Sequence, residues 1–516
     1  MRLILLAAWL LAAQETPEAG KVLRVSWALP SHLDPHRAET VADARCVGAL
    51  FEGLTTHGAD GVTLAPGMAE KWEESADGLA WTFALREAKW SNGEPVTALD
   101  FVAAWRRALQ PAIGCPYRDL FRVFKNVGRH LDALRAEGRS EVDEREYGFE
   151  ALDARTLRVT LGRRTPWLPD LLAFMSFAPL HGWTVLEKGE DWVRPGRIVT
   201  NGPYLLESAS PLDFTFRRNP GYWDGGAAGA PARIRLEFLP GEAALKKFEA
   251  GQLDWIAGER MPPGGAAGLK GRVVHPVWGT RFLRFNASKP PFDRAAVRAA
   301  FARAIDREGL AAAAGELPAE RLVPPGLPGY AGGKGPAFDR AAAVEGLLRE
   351  TEFDLAKFPR VDLLTDDAPR SVALGRWLRD QLERILGIVV RLSSMKSPAY
   401  AEAVARGEYQ VAVDGWMGDY FDPLAFLETW TRGHPRNAGR WASAEFDAFL
   451  AAAEGERDPR RRMEALGRAE ALLLSSAPVV PLLWPAESYL ASPRLKGLHP
   501  NPMGRCPLKR LRLEGK

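Results

Sequence analysis

Asp419 stands between Trp416 and Tyr420 in the run Gly415-Trp416-Met417-Gly418-Asp419-Tyr420-Phe421-Asp422-Pro423. The residues before it, Tyr409 to Val413, alternate in polarity and predict a β-strand. A carboxylate just past a strand end and flanked by aromatic rings can hold a cation in a half-dry cleft. A cation leaving water needs a formal counter-charge, and a carboxylate supplies one. The same residues also suit a simpler arrangement, with Asp419 capping a helix and Trp416 in the core.

Other chemistry is sparse. The sequence holds no HExxH helix and no GxSxG elbow. Gly332-Gly333-Lys334-Gly335 resembles the end of a phosphate loop, but Pro328 takes the place of the first glycine and Gly335 that of Ser/Thr. His32 and His36 are four apart, yet Asp34-Pro35 between them forbids the helix that would align them on a metal. Cys46, Cys115 and Cys506 are spaced neither as a metal site nor as a CxxC pair, and an odd number leaves at least one thiol unpaired. No enzyme, no metal and no cofactor are expected.

The 516 residues are enough for two or three domains. Lys plus Arg is 68 against 65 Asp plus Glu, and the charge is dispersed, which argues against nucleic-acid binding. Arg2 followed by the apolar Leu3 to Ala13 predicts a signal peptide at residues 1–13, cleaved after Ala13. No cysteine follows that run, so an exported, periplasmic product without a lipid anchor is expected.

Strands are expected at Leu23–Trp27, Leu157–Leu161, Ala232–Phe238, Leu253–Ile256, Val361–Leu364 and Ile388–Leu392. Helices are expected at Val41–Leu54, Thr97–Leu109 with Thr97 as its cap, Glu242–Ala250, Asp293–Leu310 with Asp293 as its cap, and Arg370–Leu386. Alternating strands and helices predict α/β domains.

Several motifs occur in order along the chain: Leu33-Asp34-Pro35-His36, the run Leu64 to Trp72, Trp81 to Arg86, and Ala88 to Thr97 followed by Asp100-Phe101-Val102. Thr200-Asn201-Gly202-Pro203-Tyr204, Arg218 to Trp223, Lys289 to Asp293 and Gly415 to Pro423 complete the series. Each alone is a turn or a strand exit. Together they resemble the oligopeptide-binding receptors of ABC importers, bacterial extracellular solute-binding proteins of family 5.

That resemblance implies an α/β, two-lobed periplasmic-binding-protein fold of the class II type with an extra inserted domain. The expected division is a composite lobe I (residues 20–53, 177–276 and 487–516), an inserted small domain (54–176) and lobe II (277–486). It implies an oligopeptide lying extended between hinged lobes, and membrane permease subunits of an ABC transporter as partners; a monomer is expected. It implies that Asp419 holds the peptide's α-amino group, with Gly415, Trp416 and Met417 and the loop Leu29-Pro30-Ser31 beside the peptide main chain. Tyr420 belongs to the same motif, and Trp416 and Trp441 are candidates to line side-chain pockets. Arg370, expected in a loop, and Arg406 are candidates to meet the peptide carboxylate. The chain departs from some relatives at Met417, where they carry a disulfide cysteine, and at Val413, where they carry a basic residue. The same scaffold binding an oligosaccharide or a metal chelate is the nearest rival, and an exported hydrolase a more distant one.

Overall fold

The computed structural model describes residues 22–225, 230–261, 269–352, 354–504 and 506–514. The expected signal segment lies outside them.

Among the described residues, three larger sheets carry the architecture. Val22–Ser26 is central to the first because Leu23 and Val25 are fully buried. It pairs in parallel with Arg233–Glu237 on one side and Trp255–Ile256 on the other. Tyr204–Ala209, Asp213–Arg218, Arg272–Pro276 and Ala486–Ala491 complete this seven-stranded sheet, so residues far apart in sequence build one layer. The second sheet has six strands, in the order Leu317–Pro318, Val479–Trp484, Gly279–Phe285, Val411–Met417, Val361–Asp366 and Val390–Met395. The third, of four antiparallel strands, is made from Ala69–Glu74, Ala80–Leu85, Thr156–Thr160 and Phe149–Asp153.

The recurring motifs are joints. Asp34 accepts two hydrogen bonds from Arg107, at 3.1 and 2.6 Å, and Arg107 also reaches His36 Nδ1 at 2.8 Å. Since the guanidinium can only donate, that imidazole nitrogen accepts and His36 is a neutral, buried strut. Burial pushes its pKa down to about 3. Asn201 bonds both the N–H and the C=O of Glu52, and Gly202 lies so close to Leu50 that an added Cβ would meet its carbonyl carbon at 2.4 Å. The Glu52 carboxylate in turn accepts from Tyr222, Trp223 and Lys509. One buried cluster thus ties the chain near residue 52 to residues near 220 and near the C-terminal end.

Those joints explain where helices stop. The helix expected to reach Leu54 is Val41–Leu50, because Asn201 engages Glu52 and Phe51 is extended. The expected single helix from Asp293 is two, Ala295–Arg303 and Arg307–Ala314. Asp306 breaks it by accepting from Gly309 N–H, and Arg294 rather than Asp293 is the first cap. Thr97 and Asp100 form the expected capping box on Ala98–Leu109. All three cysteines are free thiols, with Cys46 and Cys115 buried.

Candidate functional site

The Val411–Met417 strand reaches further than its sequence pattern suggests. It pairs antiparallel with Gly279–Phe285 from Val411 opposite Phe285 to Met417 opposite Gly279. On its other side it pairs with Val361–Asp366 only at Val411 and Ala412. Asn286 N–H donates to Gln410 O and Gly418 N–H to Trp278 O, so even-numbered residues face the Gly279–Phe285 side. By the strand alternation, Gly415 and Met417 turn their main-chain N–H and C=O toward the open edge. The Gly415 N–H is held by Asp414 Oδ1 at 2.8 Å. This is an edge on which a further extended chain can pair.

Asp419 follows directly. Gly418 lets the chain pass close to Trp278: an added Cβ would sit 2.3 Å from Trp278 Nε1. The Asp419 carboxylate is half-buried and accepts no hydrogen bond and joins no ion pair among the described residues. Burial raises its pKa; the charge of Arg436 works against that rise and Glu428 adds to it. It is not a helix cap. Leu424 N–H, at the start of Leu424–Leu427, donates to Asp422 Oδ1, and Asp422 is locked by Arg462 at 2.6 and 2.9 Å. A half-buried, unpaired carboxylate is poised for an external cation.

The facing wall comes from residues far away in sequence. Burial raises the Tyr117 pKa, and the charges of Asp419, Glu39 and Asp43 raise it further. Asp43 accepts from Ser31 N–H at 2.6 Å, from Ser31 Oγ at 2.7 Å, and from the N–H groups of His32, Glu39 and Thr40. Burial alone would push Asp43 up, but these donors bring its pKa below the usual value. The Tyr117 hydroxyl donates to Glu39 O at 3.0 Å, near enough to Asp43 and Asp419 for both charges to act on it. In the Leu29-Pro30-Ser31 loop, Leu29 is exposed, while Pro30 is buried and the Ser31 hydroxyl is committed to Asp43.

The other candidates divide. Trp416 is half-buried, with Nε1 donating to Ala425 O at 2.6 Å, and it lines a pocket open to solvent. Trp441 does not line it: it is buried edge-on against Phe446, a core residue. Tyr420 is also buried, stacked on Trp167 and donating to Glu428, so it positions the loop. Arg370 lies in the first turn of Pro369–Leu386 rather than in a loop, and pairs with the buried Glu316, which also binds Arg281, the cross-strand neighbour of Gly415. Arg406 stays outside the pocket, exposed at a helix end and paired with Glu408 and Glu402. Sequence reading missed Tyr117, Asp43, the Arg284–Asp414 ion pair at 2.9 Å, and Arg436. Only Asp43 carried a signal, as the third residue after Thr40 in a capping box.

No helix among the described residues is long and apolar enough to cross a membrane, and they include no group of three or more metal-ligating side chains. Residues 63–438 match the family described as bacterial extracellular solute-binding proteins, family 5 Middle. The chain belongs to this family. It is 30% identical over 491 residues to the oligopeptide-binding protein OppA of Bacillus subtilis, covering 91% of this chain and 88% of that one. It is 29% identical over 485 residues to the probable deoxycholate-binding periplasmic protein YgiS of Escherichia coli, with the same coverage. Among solved structures it resembles the periplasmic murein tripeptide-binding protein MppA in its unliganded open form, with TM-score 0.85, 27% identity, and 96% and 97% of the two chains covered. Against Haemophilus influenzae OppA in complex with RPPGFSPFR the TM-score is 0.71 at 27% identity, covering 96% and 99%. The fold of this family 5 chain is thus the α/β periplasmic peptide-binding-protein fold.

Proposed function

We propose that this family 5 protein is an exported receptor that captures oligopeptides and passes them to the permease subunits of an ABC importer, without catalysing a reaction. The observation that carries the reading is the unpaired, half-buried Asp419 beside the open edge at Gly415 and Met417. An extended peptide pairs its main chain with that edge, and its α-ammonium meets Asp419. Main-chain pairing needs few side-chain contacts, so it tolerates many sequences.

The same reading assigns lobe I to residues 20–53, 177–276 and 487–516, the inserted domain to 54–176 and lobe II to 277–486. The better match to an open, unliganded relative than to a peptide complex supports an open arrangement here, with the lobes closing on ligand. Export follows the Arg2 to Ala13 pattern, with a soluble monomer outside the cytoplasm.

A relative's name raises deoxycholate as a different ligand. That molecule has no amine, and beside it Asp419 would stay buried without a counter-charge, which favours the peptide. Calorimetry with a mixture of short peptides and with deoxycholate tests this. Peptide binding with no deoxycholate binding is expected; the reverse would overturn the proposal.

A further inference from the structure

We propose that Arg436 makes the pocket beside Gly415 and Trp416 selective for an acidic ligand side chain. The inference rests on the peptide reading above and deepens it.

The pocket has a mostly apolar wall that includes Phe282, Leu322, Val404 and Trp430. Arg284 also lines it, but is already used: its Nε binds Asp414 at 2.9 Å, its Nη1 donates to Arg436 O at 3.0 Å, and its guanidinium lies 4.7 Å from the centroid of Trp430. Asp414 in turn is shared between Arg284 and the Gly415 N–H. These two charges cancel.

Arg436 is different. Its guanidinium lies 4.1 Å from the centroid of the Trp416 ring. That ring is fixed by the hydrogen bond from Trp416 Nε1 to Ala425 O. Arg436 is solvent-exposed and lines the pocket; stacking covers one face of the guanidinium and leaves its N–H edge open to a ligand. Among the described residues no carboxylate, carbonyl or side-chain amide accepts from that edge. The fork is held in place before any ligand arrives, so little rotamer freedom remains to be lost on binding.

Two unpaired charges of opposite sign therefore flank Trp416: Asp419 and Arg436. Asp419 is near enough for the charge of Arg436 to act on it, but the two form no ion pair. Once a ligand ammonium occupies Asp419, Arg436 still lacks an anion. A glutamate-type side chain fits what remains. Its methylenes lie on the apolar wall and its carboxylate takes the fork of Arg436 bidentately. The strand alternation sends every second ligand side chain to one side, so the reader sits at the second or third ligand residue.

Binding of Ala-Glu-Ala-Ala against Ala-Gln-Ala-Ala, and of Ala-Ala-Glu-Ala against Ala-Ala-Gln-Ala, is the test, measured by calorimetry on wild type, Arg436→Gln and Arg436→Glu. Wild type should favour glutamate over glutamine by about tenfold or more at one of the two positions. Arg436→Gln should bring that ratio to about one. Arg436→Glu should bind the matching lysine peptide, Ala-Lys-Ala-Ala or Ala-Ala-Lys-Ala, more tightly than its glutamine counterpart, which no structural role of Arg436 would produce. Equal affinity for glutamate and glutamine at both positions in wild type would overturn the assignment, as would a preference that survives Arg436→Gln. Failure of all four peptides and of a random peptide mixture to bind would overturn the peptide reading itself, and this assignment with it.

Discussion

Tyr420 lies face to face with Trp167, with ring centroids 5.3 Å apart and planes 9° from parallel. The two are far apart in sequence, and the stack joins the loop carrying Asp419 to the segment that follows the four-stranded sheet. Neighbouring contacts reinforce it. Phe421 N–H donates to Asp170, Arg163 pairs with Glu428 and Glu454, and the Arg462 guanidinium lies 5.3 Å from the Trp167 centroid.

Trp167→Ala should therefore act twice. Losing a buried tryptophan costs about 3–5 kcal/mol of stability, and the freed Tyr420 leaves Asp419 less well placed, so affinity falls too. Thermal unfolding and peptide calorimetry on the same variant check both. Loss of stability with unchanged affinity would separate the stack from the site.

Asp422 and Arg462 are each 5% exposed and joined by two hydrogen bonds. Asp422→Ala should cost about 3–5 kcal/mol, because it leaves Arg462 buried without its partner. Chemical denaturation measures this. A double replacement by apolar residues should cost less than the single one.

Acid should destabilise the protein through the buried His36. Its pKa falls from 6.5 in the unfolded chain to about 3 in the folded one. The unfolded chain takes up that proton below 6.5 while the folded protein does not, so stability declines as pH drops from 6.5 toward 3. Asp34, whose pKa is lowered by Arg107 and His36 against the upward push of burial, adds a loss as pH falls through its folded value. Denaturation across this range should show His36→Asn less acid-sensitive than wild type.

Asp419 carries the opposite sign. Burial lifts its folded pKa above the unfolded 3.8, so its contribution to stability is present below 3.8 and lost as pH rises through the folded value. At neutral pH the ionised carboxylate destabilises the empty protein. Asp419→Asn should raise the melting temperature of the ligand-free protein at pH 7 while weakening peptide binding, a trade common at functional sites. Wild-type affinity should fall as acid protonates Asp419. Melting curves of both proteins without ligand, and calorimetry at several pH values, check this.

Local chemistry was legible in the sequence, and distant partnership was not. The capping box at Thr97 and Asp100 and the alternation before Gly415 could be read because each lies within a few residues. The helix breaks near Leu50 and Ala304 could not, since one depends on Asn201 and the other on Asp306 outcompeting a continuous helical pattern. Tyr420 and Trp441 looked like ligand contacts because aromatic type does not reveal whether a ring faces Trp167, Phe446 or a cleft. Arg436 lies in the aperiodic stretch Thr431 to Arg440, where no spacing marks one arginine above its neighbours.

The most direct test of the proposed site compares one peptide in two forms, with a free and with an acetylated amino terminus, against wild type and Asp419→Ala by calorimetry. Acetylation removes the ligand charge that Asp419 is proposed to pair with. For wild type it should weaken binding by about 100-fold or more. Asp419→Ala should bind the free peptide weakly and lose little further on acetylation. An equal loss on acetylation in both proteins would contradict the assignment, because Asp419 would then not be the group that holds the peptide's amino terminus.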